Sequence, residues 1–363
     1  MRQSVFESFS RIIDKVIDSK ADALFIAGDA FDESTITPRT RSFLVDELAR
    51  AKVPVFLSRG NHDPHTSWEG SIPMPPNVHE FGTEPERVDI PGVDGAEAVG
   101  ASFADWHEER NLPSLLRGSA DKFTVACVHC DIDSVNADYC YSQCSLSDTK
   151  GRGVDYWAIG HIHKRAVLSK DPWVVYPGNI QGRSFKETGE KGAYLVDVSD
   201  GRVSSAEFFP TQGFVWYDEE IDIGGKDLNG IIEQLRSEIV PGSIVRLAFV
   251  GSGDLNRMLR EETDEVAALI ASKTGCTVSE IDVRTDPAID LDSRRGSKDI
   301  VGLVIEAGDS MNASGRARII DSLTVNPIMA RYREHFEAMS DEELRSIAEE
   351  AMTALVTKME ATR

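Results

Sequence analysis

Apolar residues recur along the chain in two periods. Val5, Phe9, Ile12, Ile13, Val16 and Ile17 fall on one face at helical spacing and predict a helix over residues 1–20. Ala23–Ala27 and Val53–Leu57 are short continuous apolar runs of the kind that form buried strands. Each run ends in a glycine turn, Gly28-Asp29-Ala30-Phe31-Asp32 and Gly60-Asn61-His62-Asp63. Between them Thr37 can cap a helix that has Pro38 at its first position and runs to about Ala51. Val125–His129 and Trp157–Gly160 repeat the strand pattern, the second leading into His161-Ile162-His163. Strands alternating with helices at this spacing predict βαβ units and an α/β chain, α+β by some schemes.

Later segments follow the same logic. Leu112–Leu116 predicts a short helix, and 131–150 reads as an irregular loop. Trp173–Tyr176, Ala193–Val198 and Val203–Phe209 predict a strand meander. A boundary falls near 210–225, around Pro210-Thr211-Gln212-Gly213. Beyond it strands at Ile221–Ile223, Ile244–Val250 and Val278–Val283 alternate with helices at Leu228–Ile239 and Asn256–Lys273. Glu342–Met359 carries Leu344, Ile347, Ala348, Ala351 and Leu355 near helical spacing. The expected division is 1–213, a small α/β unit at 214–295, and a helical region at 296–363.

The strand ends carry the chemistry. In open α/β sheets ligands gather at the carboxyl ends of strands, and four such ends here deliver Asp29, Asn61, His62, His129, His161 and His163. A carboxylate such as Asp29 can bridge two divalent ions. Neutral imidazoles suit Mn²⁺, Fe²⁺ or Zn²⁺, and an amide oxygen suits a hard ion. If 161–163 is extended, both imidazoles project to one side and can reach two ions about Asp29. His65, His79 and His107 lie outside these motifs and read as surface or rim residues.

Charge and cysteine usage narrow the class. The 363 residues have a formal net charge of −22, with ordinary apolar and charged fractions. DNA affinity rests mainly on Lys and Arg neutralising phosphates, so long DNA should be held weakly without help. A local patch of Lys164, Arg165, Arg183 and Lys186, the metals, or a partner would supply attraction. No apolar run reaches membrane-span length and no leader precedes the first helix, so a cytoplasmic, non-membrane protein is expected. Five cysteines suit reduced thiols. Cys127, Cys130, Cys140 and Cys144 invite a zinc-knuckle reading, opposed by Cys127 lying inside an apolar strand. Cys276 reads as a packing residue.

The motifs GDAFD, GNHD, a strand ending in His129, and GHIH, in that order, resemble the calcineurin-like metallophosphoesterase superfamily. Tyr141-Ser142-Gln143-Cys144-Ser145-Leu146, Gly153–Arg165, Tyr176–Arg183 and Glu187–Ala193 are similar to its DNA-repair exonuclease branch, which includes SbcD-like and YhaO-like proteins. The likeness covers residues 1 to 213 well and the remainder loosely. It implies two packed mixed sheets flanked by helices, a small C-terminal cap and a helical tail. It also implies two divalent ions, Mn²⁺ first and Mg²⁺, Fe²⁺ or Zn²⁺ as alternatives. Asp29, Asn61, His129 and His161 would hold one ion, and Asp29 with His163 the other. His62 would be catalytic without binding metal, and Asp32 and Asp63 would orient ligands. Lys164, Arg165 and Arg183 would contact substrate.

The resemblance implies metal-assisted hydrolysis of DNA phosphodiesters. An SbcC-like or YhaN-like coiled-coil ATPase is the implied partner, with the helical tail as its docking surface, and a homodimer is open. One family motif, an opening strand ending in Asp-x-His, is absent from this sequence. The ion held by Asp29 and His163 would then lack two ligands, and weak activity is expected. Three readings follow: a DNA exonuclease whose chain begins late, a phosphoesterase for nucleotides or phosphoproteins, and a non-catalytic metal-binding subunit.

Overall fold

The computed structural model describes residues 2–31, 37–64, 73–133, 141–288, 291–313 and 315–361. They divide into two compact units, Met1–Trp216 and Tyr217–Arg363. Among the described residues no helix is long and apolar enough to cross a membrane.

In the first unit α1 (Arg2–Ser19), β1 (Leu24–Ala27), α2 (Pro38–Ala51), β2 (Val55–Ser58) and β3 (Val78–Glu80) form a parallel sheet of order β1-β2-β3 with two helices. Thr37 caps α2 as expected, its hydroxyl accepting from the Thr40 N–H at 3.2 Å. Ile12, Ile13, Val16 and Ala51, then Leu44, Leu48 and Val55, bury the helices against this sheet.

The second layer contains β4 (Glu86–Asp89), β5 (Ala96–Ala101), β6 (Phe123–His129), β9 (Tyr156–Gly160), β10 (Ala166–Lys170) and β11 (Trp173–Tyr176), in the order β10-β11-β9-β6-β5-β4. α3 (Leu112–Leu115) precedes β6, and a two-stranded pair, β7 (Asp131–Ile132) with β8 (Gln143–Cys144), follows it. All seven residues of β6 are buried because both faces of this sheet are covered. Phe56, Phe81 and Cys127 fill the space between the layers, while Phe103, Trp157 and Tyr176 fill the outer side beneath α3. A hairpin of β12 (Gly192–Ser199) and β13 (Arg202–Pro210) adds Tyr194, Val196 and Val203 to the core around Phe25.

The second unit runs β14 (Trp216–Asp222), α4 (Leu228–Glu238), β15 (Ile244–Gly253), α5 (Asn256–Glu261), α6 (Thr263–Thr274) and β16 (Thr277–Pro287). Its sheet order is β14-β15-β16, the expected βαβαβ pattern, around Phe249, Ile231 and Ile270. α7 (Leu291–Arg294), α8 (Ile300–Ala313), α9 (Arg316–Leu323), α10 (Arg333–Ala338) and α11 (Asp341–Ala361) follow.

Three expectations need correction. Among the described residues the inner sheet is parallel rather than mixed, because the β12–β13 hairpin packs beside it without joining its ladder. The predicted helix over Asn256–Lys273 is two helices, since Glu262 leaves helical geometry (φ −127°, ψ 35°) and the Thr263 hydroxyl donates to the Leu259 carbonyl at 2.6 Å. The described residues of 131–150 are not an irregular loop throughout, since they include β7, β8 and a 3₁₀ turn at Leu146–Thr149.

Candidate metal centre

The two layers bring the strand ends together. Ala27 lies opposite Ser58 in the β1–β2 ladder, so the turns at Gly28 and Gly60 emerge side by side. Asp63 fastens them. Its buried carboxylate accepts backbone N–H groups from Gly60 at 2.7 Å, Asp29 at 3.1 Å and Phe31 at 3.4 Å. Burial first, and then the charge of Asp29, push this carboxyl up to about 7 against those three donors. In the facing sheet His129 pairs in register with Gly160, which delivers His129 and His161 on adjacent ends. β1 packs directly on β6 and β9.

His129 is fully buried, and its Nδ1 lies 3.0 Å from the Ala27 carbonyl oxygen. A carbonyl only accepts, so Nδ1 carries the proton and Nε2 of the neutral ring presents a lone pair. That lone pair faces Asn61 Oδ1 at 3.0 Å, His161 Nδ1 at 3.3 Å and Asp29 Oδ2 at 3.4 Å. Asn61 Oδ1 and His161 Nδ1 are 3.3 Å apart. Burial lowers the His129 pKa, and Asp29 only partly opposes it. Burial, and then His129 itself, bring His161 down to about 4. Both rings are therefore neutral at pH 7.

Four electron-pair donors thus converge with few protons to separate them. Donors bound about 2.1 Å from one ion, at tetrahedral or octahedral angles, stand about 3.0–3.4 Å from each other. The observed separations match, and the nitrogen, amide and carboxylate set suits a divalent transition ion. The amide is integral: among the described residues, His, Cys, Asp and Glu alone make no group of three that would hold an ion.

Backbone strain coincides with this cluster. Asp29 (φ 54°) and His161 (φ 104°) are non-glycine residues in the left-handed region, each costing about 1–3 kcal/mol that the surrounding structure must offset. Glycine is required at two neighbouring positions by close approach. A Cβ on Gly60 would meet Asp29 Oδ1 at 2.3 Å, and one on Gly160 would meet the Ala27 carbonyl oxygen at 1.7 Å.

The other predicted residues lie around the cluster. His161 sits in a bend (φ 104°), so the extended backbone on which the expected shared projection of the two GHIH imidazoles rests is not present at 161–163. His161 enters the cluster, while the exposed His163 places Nδ1 2.7 Å from Glu187 Oε1. Burial opposes the charge on Glu187, but the His163 and Arg183 hydrogen bonds outweigh it and hold the carboxyl at about 2. The main-chain N–H of His62 donates to Asp29 Oδ1 at 2.9 Å, and its side chain is exposed. His62 and His163 are both near enough for their charge to push His129 lower still. Arg183 pairs with Glu187 at 3.6 Å, and Arg165 lies over Phe208 at 3.8 Å with Glu190 beside it. Lys164 is exposed. Asp32, His65 and Cys140 lie outside the described residues. Cys127 turns to Ser58 and Ile26, into the layer between the sheets.

Sequence reading misses Asp131, Glu187 and the Ala27 carbonyl. Asp131 Oδ2 stands 4.0 Å from the neutral His161 Nε2, close to it but beyond hydrogen-bond distance. A carboxylate directly after a buried apolar strand is the signal that points to it. Glu187 sits among polar residues in a turn, and only the fold brings it to His163.

A family model described as calcineurin-like phosphoesterase matches residues 3–165, a span that contains all six strand-end residues. The chain carries a calcineurin-like metallophosphoesterase domain. Outside that span the likeness continues in relatives. The protein named "Uncharacterized metallophosphoesterase YhaO" of Bacillus subtilis (strain 168) is 29% identical, covering 98% of this chain and 90% of its own length. "DNA double-strand break repair protein Mre11" of Methanosarcina acetivorans is 23% identical over 70% of this chain and 43% of that protein. The SbcD polypeptide of the nuclease SbcCD of Bacillus subtilis is 25% identical over 51% of this chain and 58% of its own. This chain therefore spans about half the length of the named nucleases it matches. The metallophosphoesterase domain is that of a hydrolase using divalent metal.

Proposed function

We propose that the metallophosphoesterase domain hydrolyses DNA phosphodiesters with divalent metal, Mn²⁺ first among candidates. The observation that carries this reading is the cluster of Asn61, His129 and His161 within 3.0–3.3 Å of one another, with Asp29 3.4 Å from His129. A divalent ion there supplies Lewis acidity toward phosphate and lowers the pKa of water. The Ala27 carbonyl keeps the His129 proton on Nδ1 and leaves its Nε2 free to donate an electron pair, while Asp131 Oδ2 stands 4.0 Å from His161 Nε2. Glu187 likewise fixes the His163 proton on Nδ1 and leaves Nε2 available to a second ion. His62, exposed beside Asp29, would stabilise the phosphoryl charge or protonate the leaving 3′ oxygen. Lys164, Arg165 and Arg183 would meet the phosphate backbone. Residues 214–295 would select DNA geometry, and the helices from 296 onward would dock an SbcC-like or YhaN-like ATPase in the cytoplasm.

The second reading is a non-catalytic metal-binding subunit. It is favoured by the donor contacts of the cluster, which join Asp29, Asn61, His129 and His161 and do not include His163. Calorimetric Mn²⁺ titration paired with hydrolysis of short DNA separates the two. Two bound ions and turnover abolished by His62→Ala support the nuclease; one ion and no turnover support the subunit.

A further inference from the structure

We propose that Trp106 is a stacking platform for a nucleobase of the substrate, linked to the metal cluster through a chain of ring contacts. The proposal rests on the nuclease reading and adds to it the part of the substrate recognised. The Trp106 indole is 55% exposed on the loop between β5 and α3. A rigid base supports it. Glu108 is buried, bridges to Tyr141, and accepts a fork from Arg110 at 2.8 and 2.7 Å. The Glu108 carbonyl also accepts the Ser142 N–H at 2.7 Å. The main-chain N–H of Trp106 donates to Asp105 Oδ1 at 2.8 Å.

A chain of rings leads from this indole to the cluster. Trp106 meets His107 edge-on at 3.7 Å between centroids, His107 meets Tyr141 at 6.3 Å, and Tyr141 meets His161 at 4.8 Å. His161 is one of the four converging donors. The exposed aromatic face is thus three ring contacts from the place where a phosphate would be held.

Charge selects the occupant. Asp105, whose carboxylate holds the Trp106 N–H, and Glu109, three residues on, are both exposed on this loop, so its charge disfavours a phosphate while an uncharged base is not repelled. With a net charge of −22, the chain gains little from counterion release. Stacking needs no charge and contributes through any base, because every base has a π-face.

The test uses the full chain with Mn²⁺ and a fluorescein-labelled single-stranded oligonucleotide, read by anisotropy. Trp106→Ala should weaken binding about 5- to 150-fold, and Trp106→Phe should keep most of it. An oligonucleotide made abasic along its length should bind the parent chain about as weakly as the normal one binds Trp106→Ala. Mn²⁺ affinity, hydrolysis of bis(4-nitrophenyl) phosphate and the salt slope of binding should stay unchanged in both variants. Equal oligonucleotide affinity for Trp106→Ala and the parent chain overturns the platform and leaves the nuclease reading standing. Trp106→Phe as weak as Trp106→Ala overturns it too, by making the indole a structural prop or a specific partner contact. A parent chain that binds no oligonucleotide overturns both readings.

Discussion

Asn61→Ala separates a metal ligand from a structural amide. Without an ion, the Asn61 oxygen faces the lone pair of His129 Nε2 at 3.0 Å and stands 3.3 Å from His161 Nδ1. The His129 contact is acceptor to acceptor and stabilises nothing, so removing Asn61 should cost the metal-free protein no more than the one hydrogen bond that His161 Nδ1 can donate to Asn61 Oδ1, about 0.5–1.5 kcal/mol. With Mn²⁺ at about 100 times its dissociation constant, the parent chain should gain about 2.7 kcal/mol. For a unit of this size that is a rise of about 5–11 °C, at about 2–4 °C per kcal/mol. In Asn61→Ala the Mn²⁺-induced rise should fall to within about 2 °C of zero at the same concentration. Differential scanning calorimetry with and without Mn²⁺ reads both numbers. If the metal-free variant loses more stability than that and still shifts with Mn²⁺, the amide is turned over. Its NH₂ then donates to His129 and the cluster is a hydrogen-bond network.

Three other substitutions probe neighbouring parts. Gly160→Ala drives a methyl into the Ala27 carbonyl; chemical denaturation should show a loss of about 1–3 kcal/mol, and calorimetry a Mn²⁺ affinity about 10- to 100-fold lower. Glu97 is buried, and the Ser119 and Thr124 hydrogen bonds outweigh the burial that opposes its charge, so its carboxyl is held below the usual range. Its stabilising contribution is therefore full above the unfolded pKa and disappears as pH falls through the lower folded value. Urea unfolding of Glu97→Gln should show a deficit of about 1.5–3 kcal/mol at pH 7 that shrinks toward zero in acid. Phe249→Ala empties the core of the second unit and should cost about 3–5 kcal/mol, while the Mn²⁺ response of the first unit stays intact.

Much of this architecture is legible in local pattern. The runs ending at Ala27 and Ser58 have glycine or polar residues immediately beyond, and Thr37-Pro38 announces α2, because these signals act within a few residues. The GHIH histidines mislead because alternation predicts a shared face only where the backbone is extended, and His161 has left that conformation. Periodicity runs unbroken through Glu262, hiding a break made by one residue and the hydroxyl that follows it. Asp131 and Glu187 act on His161 and His163 across the fold, and no local pattern encodes such partners. The pairing of Asn61 with His129 spans 68 positions, and motif order is its sole trace in the sequence.

The backing of the cluster by Gly60 and Gly160 has a consequence for ionic size. Donor atoms 3.0–3.4 Å apart enclose an ion with bonds of about 2.1 Å, whereas Ca²⁺ prefers about 2.3–2.6 Å. Accepting it would require the donors to spread by several tenths of an ångström. Behind Asp29 and His129, however, the space of two absent side chains is already filled by carboxylate, ring and main chain. The glycines thus act as a fixed wall, and small ions should displace large ones from this cage even where the ligands themselves show little preference.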